Sequence, residues 1–285
     1  MADESTLESR FAKMGARVRV TVVPALRSVR DWNGRRIWRG PASGAPVRVD
    51  VRRDERGDEY FDLQRRSDVE VQVLDVRPND RHLLLMARQL TQVGNKRRED
   101  KTKFLCGHDE RAWFVAAVPE AAHASNVQDA KDALKPKAVW DAMREYGVSP
   151  GRRDQRRTAA FVRQGEWFFI PRPAFRMDVR LALRNEPIRR GAGKPHLCQY
   201  LCRFGGDEVY VSDRYPNGLT WSQRLKRPHE ERGGVWRKMV RDARVYVKGT
   251  VRHPDHATIV LQCWHEVVMN TETQAAAMRH VAFLD

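Results

Sequence analysis

The residues best suited to chemistry lie in the stretch VRHPDHATIVLQCWHEVVMN, residues 251–270, which holds three of the nine histidines and one of the four cysteines. Imidazole and thiol groups can carry protons, attack carbon or phosphorus, and bind metals. Side chains of a strand alternate between its two faces, so Cys263 and His265 share one face and His256 lies on the other. The histidines and the cysteine therefore cannot converge on one atom, and this stretch predicts no complete metal site.

The two ends of the expected turn in this stretch are His253 and His256, on either side of Pro254 and Asp255. The ends of a β-turn lie within about 7 Å of each other between Cα atoms, so these two histidines can meet. We expect both side chains to reach solvent and to be available for function. Cys263 and His265 are expected in the core, where a cysteine behaves as a small apolar residue and a histidine can bond a carbonyl.

A second group of possible ligands lies in HLCQYLC, which contains His196, Cys198 and Cys202. In a strand all three face one way, but positions four apart are separated by roughly 13 Å. Zinc binds sulfur at about 2.3 Å, so the spacing is too wide for a shared ion. The neighbouring GAGKPH, residues 191–196, lacks the spacing of a phosphate-binding loop, and other known catalytic signatures are absent. No metal and no cofactor are predicted.

Three expected turns between apolar arms carry acid and base groups: GHDER, RQGE and HPDH. If the hairpin tips gather on one rim, they supply a base, an acid and cations, which phosphodiester cleavage or transfer requires. Charged turns are also common on ordinary surfaces, and the sequence alone does not bring these three together. The candidate catalytic residues are His108, Asp109, Glu110, Glu166, His253 and His256, with Arg111 and Arg163 nearby.

The elements that would position these turns are mostly strands, because apolar and polar residues alternate through much of the chain. We predict an α+β fold of antiparallel β-hairpins with short helices at the amino terminus, within residues 125–147 and at the carboxyl terminus. A β-rich region over 1–147 is expected to pack closely on a hairpin region over 148–285. The hairpins are predicted to turn at residues 78–80, 107–111, 164–166, 205–206 and 254–255.

The charge of the chain indicates a polyanionic partner. Lysine and arginine number 53 against 37 acidic residues, which gives a net charge of +16, and 42 of the basic residues are arginine. Arginine suits phosphate and base contacts, although a base-rich coding sequence would also raise its content. Interleaved aromatic and arginine residues favour RNA or single strands. The candidate nucleic-acid-binding residues are Trp32, Arg35, Arg36, Trp38, Arg97, Arg98, Arg152, Arg153, Arg156, Arg157, Arg163, Arg224, Lys226 and Arg227.

Three functions remain open on the sequence. The first is a nucleic-acid-binding protein, RNA or DNA, without catalysis. The second is an enzyme that cleaves a phosphodiester or modifies nucleic acid at the hairpin tips. The third is a structural or assembly subunit that contacts a polyanion, with protein partners in a larger assembly. The acidic start MADESTLESR and the lack of a long apolar run predict a cytoplasmic protein without a membrane partner, and four scattered cysteines predict reduced thiols.

Overall fold

The structure is a computed structural model that describes residues 4–25, 27–30, 33–34, 36–39, 46–93, 96–190 and 193–275. The α-helices are α1 (Glu4–Lys13), α2 (Val127–Ala133), α3 (Lys137–Glu145), α4 (Trp221–Leu225) and α5 (His229–Arg232). Short 3₁₀ helices cover Glu120–Ala122, Pro150–Arg152, Val179–Leu181 and Thr271–Gln274. The strands are β1 (Val18–Val23), β2 (Arg27–Arg30), β3 (Arg36–Arg39), β4 (Val47–Arg53), β5 (Glu59–Arg66), β6 (Val69–Arg77), β7 (His82–Val93), β8 (Lys96–Asp109), β9 (Ala112–Val118), β10 (Val162–Gln164), β11 (Trp167–Pro171), β12 (Leu183–Ile188), β13 (His196–Phe204), β14 (Asp207–Ser212), β15 (Tyr215–Leu219), β16 (Arg237–Arg241), β17 (Arg244–His253) and β18 (His256–Met269).

The predicted α+β fold of antiparallel hairpins is confirmed. The described strands form sheets in the orders β1-β5-β4, β2-β3, β6-β7-β8-β9, β10-β11-β18-β17-β13-β12 and β15-β14-β16. Neighbours run antiparallel except β1 and β5, which pair in parallel from Val18 opposite Phe61 to Val23 opposite Arg66. Four of the five predicted hairpin turns join paired strands, at residues 78–80, 107–111, 164–166 and 254–255.

The fifth predicted hairpin, at Gly205 and Gly206, is wrong. The strand before the turn, β13, pairs with β12 and β17, whereas the strand after it, β14, pairs with β15 and β16 in a separate small sheet. Both glycines have positive φ, 71° and 92°, and a Cβ on Gly206 would lie 2.6 Å from the Arg241 carbonyl oxygen. The turn therefore sends the chain into another sheet. Residues 213–242 contain β15, α4, α5 and β16.

The amino-terminal half is built around one apolar core. The buried face of α1 carries Leu7 and Phe11, and Phe11 packs on Phe61 of β5 with ring centroids 5.1 Å apart. Leu83 and Phe104 of the four-stranded sheet belong to the same buried cluster. Because Leu7, Phe11 and Met14 lie on one side of the helix, burying them against the sheet explains the predicted amino-terminal helix.

The predicted helical region 125–147 consists of α2 and α3, which pack on different sheets. Asn126 caps α2, its side chain accepting a hydrogen bond from the Asp129 backbone N–H. Residues of α2 pack on the four-stranded sheet at Leu84 and Leu105, while α3 packs on Phe161 and Phe168 beside the six-stranded sheet. The helical pair thereby joins the two sheets. The predicted division between residues 147 and 148 stays a prediction.

The alternation predicted for β18 is confirmed in its core. Leu261 is buried, with Ile259 and Val267 partly buried in the same cluster. His265 is 7% exposed, and its Nδ1 lies 2.8 Å from the carbonyl oxygen of Cys263, as expected of a core histidine. Cys263 itself is only half-buried.

The structure describes only part of the predicted carboxyl-terminal helix. The predicted carboxyl-terminal helix covers residues 271–285, of which the structure describes 271–275, and there the chain forms the 3₁₀ helix Thr271–Gln274. Residues 276–285 lie outside the described residues. Among the helices that the structure describes, none has the length and apolar character needed to cross a membrane.

Acid is expected to destabilise the fold through His82. Burial, together with the charge of Lys131, lowers the pKa of His82 from 6.5 to about 4. The neutral ring is therefore favoured in the folded protein. The stability that His82 contributes is fully present above pH 6.5, which is the pKa of this histidine in the unfolded chain. It is lost as the pH falls from 6.5 through about 4. We expect a loss of about 2 kcal/mol over this window, after allowing for the partial exposure of the ring.

The measurement is urea unfolding of the protein and of His82→Gln at pH 7 and pH 4.5. The variant cannot bind this proton, so its free energy of unfolding should fall less with acid than that of the parent protein. An equal fall in both proteins would show that His82 does not carry this pH dependence.

Candidate functional site

A cavity of about 780 Å³ brings three of the predicted hairpin tips together. The tip of β8 and β9 contributes Asp109, the tip of β10 and β11 contributes Glu166, and the tip of β17 and β18 contributes His253 and His256. Arg163 lies on the same wall. Residues of the amino-terminal half, including Arg48 and Trp113, also line the cavity. The predicted rim of acid and base groups is thus a set of neighbours in the fold.

Three histidines meet in this region, and we call His196, His253 and His256 the histidine cluster. One ring nitrogen of each lies within 4.8 Å of the corresponding nitrogens of the other two. The ring centroids of His196 and His253 are 4.2 Å apart with an angle of 24° between planes, and His253 and His256 are 4.7 Å apart. Imidazole nitrogen is a common ligand of transition metals, so these three side chains are the described residues that could hold an ion.

The orientation of His196 is set by Gln164. Both residues are 1% exposed, and His196 Nδ1 lies 3.0 Å from Gln164 Oε1. The amide nitrogen of Gln164 donates to the carbonyl oxygens of Ala257, at 2.7 Å, and Val251, at 3.4 Å. Because the amide N–H groups are used in this way, Oε1 faces His196 and accepts a hydrogen bond from its Nδ1–H. The Nε2 side of the ring faces Glu166.

The other two histidines of the cluster face each other across the turn between β17 and β18. His253 Nδ1 accepts a 3.1 Å hydrogen bond from the Asp255 backbone N–H. His256 Nδ1 lies 3.5 Å from Glu110 Oε2, and that oxygen accepts a 2.6 Å hydrogen bond from the Ala257 backbone N–H. Glu110, from a different hairpin, thereby fixes the position of the turn that carries both histidines.

Burial corrects one prediction about these turn histidines. Both were expected to reach solvent, yet the His256 side chain is 14% exposed and His253 is half-buried. Burial, followed by the charges of His196 and His256, lowers the pKa of His253 to about 4. Burial and the charge of His196 lower the pKa of His256 as well. Both rings are held neutral at pH 7, because three neighbouring imidazoles cannot share several positive charges at low cost.

Glu166 is the carboxylate nearest to the ring of His196. Its Oε2 lies 3.8 Å from His196 Nε2, and its side chain is 26% exposed. Burial works to raise the pKa of Glu166, but contact with His196, a backbone N–H and the charge of Arg190 together outweigh it and lower the pKa. Glu166 is therefore ionised at neutral pH and can accept a proton from a molecule in the cavity.

Gly165 allows the histidine cluster to approach this turn closely. Its φ is +59°, a conformation that favours glycine. A Cβ at this position would lie 2.9 Å from His256 Nε2 and 3.4 Å from His196 Cε1. The glycine that precedes Glu166 thus leaves the space that both rings occupy.

The cationic side chains of the cavity are paired with carboxylates. Arg163 lies 3.3 Å from Asp109, and Lys194 Nζ lies 3.0 Å from Asp255. All four side chains are between 15% and 36% exposed. Ion pairs with this exposure stabilise little, so Arg163 and Lys194 can exchange their partners for the oxygens of a phosphate at small cost. The cavity can therefore accept an anion beside the histidine cluster.

The six predicted catalytic residues divide into two groups. Asp109, Glu110, Glu166, His253 and His256 lie at the cavity or in contact with the histidine cluster. His108 is separate from them: its ring packs edge-on against Trp113 with centroids 5.0 Å apart, and burial lowers its pKa. Side chains alternate along β8, so His108 points away from the face that carries Asp109.

The predicted nucleic-acid-binding residues do not form one surface among the described residues. Arg153, Arg156 and Arg163 pair with carboxylates at or near the cavity. Arg152 and Arg157 are exposed, with Arg152 donating to Gln155. Trp32 and Arg35 lie outside the described residues; for Arg36, Trp38 and Arg97 only the backbone is described, and Arg98 pairs with Asp100. On the small sheet, Arg224 stacks against Tyr210, Trp221 and Trp236, Arg227 stacks against Tyr215, and Lys226 is exposed.

Sequence reasoning missed Gln164, Arg190, Lys194 and His196. His196 was considered only with Cys198 and Cys202, which lie on its own strand, and its true neighbours are about 60 residues away along the chain. GAGKPH was set aside as a poor phosphate loop, although its Gly193 and Lys194 line the cavity. The sequence signal that could have pointed to these residues is the polar segment just before β13. In it, the basic residue Lys194 follows the basic pair Arg189 and Arg190.

Comparisons with protein-family models, curated proteins and solved structures found no match to this chain.

Proposed function

We propose that this protein is a nucleic-acid-processing hydrolase that cleaves a phosphodiester bond in the cavity at the hairpin tips. The observation that carries the proposal is the meeting of Glu166 with His253 and His256, from two separate hairpins, beside Arg163 and Lys194. These residues supply a proton acceptor, neutral imidazoles and cations within one cavity. Hydrolysis of a phosphate ester needs this combination.

The reaction follows from the properties of these side chains. The neutral imidazoles of His253 and His256 hold a water molecule by hydrogen bonds beside Glu166, and the Glu166 carboxylate accepts a proton from this water as the water oxygen attacks phosphorus. The P–O bond to the leaving oxygen breaks with its electron pair, and the leaving oxygen takes a proton from solvent. Glu166 then returns its proton to water. Arg163 and Lys194 balance the negative charge that develops on the phosphoryl oxygens.

Nucleic acid is the proposed substrate class because the chain carries a net charge of +16, which raises the local concentration of polyanions. Because the cations of the cavity are paired with carboxylates, the cavity itself carries little net charge. The attraction of nucleic acid must therefore come from basic residues on the protein surface. Arg152 is exposed next to the cavity residue Arg153, and Arg157 is exposed four residues further along the chain. We propose that these two arginines hold the strand through its phosphates.

The test uses end-labelled single-stranded RNA, single-stranded DNA and duplex DNA at low salt, with Zn²⁺, Mn²⁺ or Mg²⁺ added in turn. We expect cleavage of at least one substrate, and loss of cleavage in the double variant His253→Ala/His256→Ala with binding retained. The matched control is His229→Ala, because His229 is exposed on α5, outside the cavity. Its activity should equal that of the parent protein.

Binding is measured in parallel with Arg152→Glu/Arg157→Glu. This variant should weaken binding to all sequences alike and flatten the dependence of affinity on salt. Binding without cleavage of any substrate would overturn the hydrolase proposal and leave a nucleic-acid-binding protein. Absence of both would overturn the whole proposal and favour an assembly subunit.

A further inference from the structure

We infer that the histidine cluster binds one divalent transition-metal ion, with His196 and His256 as its principal ligands and His253 as the third. The sequence predicts no metal, so this site comes from the tertiary structure. Binding of the ion does not depend on the proposed hydrolysis. Its use in lowering the pKa of an attacking water rests on that function.

The positions of the ligand atoms favour a bound ion. One ring nitrogen of each histidine in the cluster lies within 4.8 Å of those of the other two, and Glu166 Oε2 lies 3.8 Å from His196 Nε2. Imidazole and carboxylate groups this close together are a common ligand set for transition metals. Metal bonds to imidazole nitrogen and carboxylate oxygen are about 2.0–2.2 Å long, so one ion can reach both atoms.

The environment of His256 also favours a bound ion. Its Nδ1 is buried and makes no hydrogen bond with any described residue, although Glu110 Oε2 lies 3.5 Å away. A carboxylate beside one ring nitrogen holds the proton there and leaves the other nitrogen free, which is how metal-binding histidines are commonly oriented. The free nitrogen, Nε2, lies over Gly165, toward the ring of His196. His196 and His256 therefore each have a side-chain oxygen beside Nδ1, and this leaves Nε2 as the nitrogen that can bind the ion.

His253 is expected to be the weakest ligand of the three. Its Nδ1 accepts the backbone N–H of Asp255, so its proton resides on Nε2, and coordination requires the ring to give up that 3.1 Å hydrogen bond. The rings of the cluster also lie nearly face to face, with 19° between the planes of His196 and His256. They must turn about their Cβ–Cγ bonds before their lone pairs meet at one point.

The ligand chemistry selects the ion. Three neutral imidazoles suit Zn²⁺, Co²⁺, Ni²⁺ or Cu²⁺, whereas Mg²⁺ and Ca²⁺ prefer oxygen ligands. Three protein ligands also leave a position open for water, as in catalytic zinc sites. The site lies at the edge of the cavity rather than in an apolar core, so the fold should not require the ion.

The experiment titrates chelator-treated full-length protein with Co²⁺ and follows its visible absorption, with competition by Zn²⁺ and by Mg²⁺. We expect one equivalent of Co²⁺ to bind, Zn²⁺ to displace it and Mg²⁺ to leave it in place. His196→Ala should weaken Co²⁺ binding at least 100-fold, His256→Ala comparably and His253→Ala less. The control His229→Ala should bind like the parent protein.

Circular dichroism of each variant, before and after metal removal, separates loss of ligands from loss of folding. No saturable Co²⁺ binding by folded parent protein would overturn the inference, as would unchanged binding by folded His196→Ala. Metal binding without cleavage of nucleic acid would contradict the proposed function alone. Cleavage at full rate after chelation, with no metal bound, would contradict the ion's catalytic use alone.

Discussion

Replacing Glu166 with glutamine is expected to lower the turnover of nucleic-acid cleavage by about 10²–10⁴, the usual contribution of a general base. Glutamine has nearly the same shape but cannot accept the proton of the attacking water. The turn should survive, because the Asn270 N–H donates to the backbone carbonyl of Glu166 rather than to its side chain. Loss of one negative charge should leave strand binding equal or slightly stronger. Single-turnover cleavage at saturating enzyme measures the chemical step.

The matched control for this prediction is Glu186→Gln. Glu186 lies on β12, pairs with Arg203 on the surface and is not among the residues that line the cavity. Its loss should change turnover less than threefold. A folded Glu166→Gln protein that cleaves at the parent rate would remove Glu166 from the reaction and leave the imidazoles and the other cavity carboxylates, such as Asp109, as candidate bases.

The largest stability effect is expected from Glu272→Gln, about 3–5 kcal/mol, because it removes the acidic partner of a buried ion pair. Glu272 is 2% exposed in the 3₁₀ helix Thr271–Gln274, and its carboxylate contacts the guanidinium of Arg190, whose side chain is 13% exposed. Burial lowers the pKa of Arg190, although the charge of Glu166 opposes this. Without Glu272, the arginine keeps its charge in a poorly solvated position. Urea unfolding at pH 7 measures the change.

A double-mutant cycle gives the control for this ion pair. Arg190→Gln should also destabilise the protein, and Arg190→Gln/Glu272→Gln should cost less than the sum of the two single changes, because neither charge is then left alone. Strict additivity, or a loss below about 1 kcal/mol in Glu272→Gln, would show that the two charges are not coupled. Glu110→Gln provides a comparison beside the histidine cluster, since Glu110 contacts both Arg156 and His256.

Local pattern in the sequence determined most of the secondary structure and the contents of the hairpin tips. Alternation of apolar residues depends only on positions two apart, so it correctly predicted the paired strands around residues 78–80, 107–111, 164–166 and 254–255. The same rule separated His256 from His265 and placed His265 in the core. Short-range rules succeed here because the atoms that decide these features are close along the chain.

Only the tertiary structure decided which tips meet and which residues complete the site. His196 joins His253 and His256 because β13 pairs with β17 in the six-stranded sheet, and strand order depends on long-range packing. For the same reason the sequence could not show that the chain passes from one sheet to another at Gly205 and Gly206. A tight turn has the same local sequence pattern whether or not the strands that it joins pair with each other. The burial of His256 depends on Glu110, a residue 146 positions earlier that a different hairpin brings against it. Periodicity therefore predicts which face a side chain takes, whereas its neighbours in space are chosen by the packing of the whole chain.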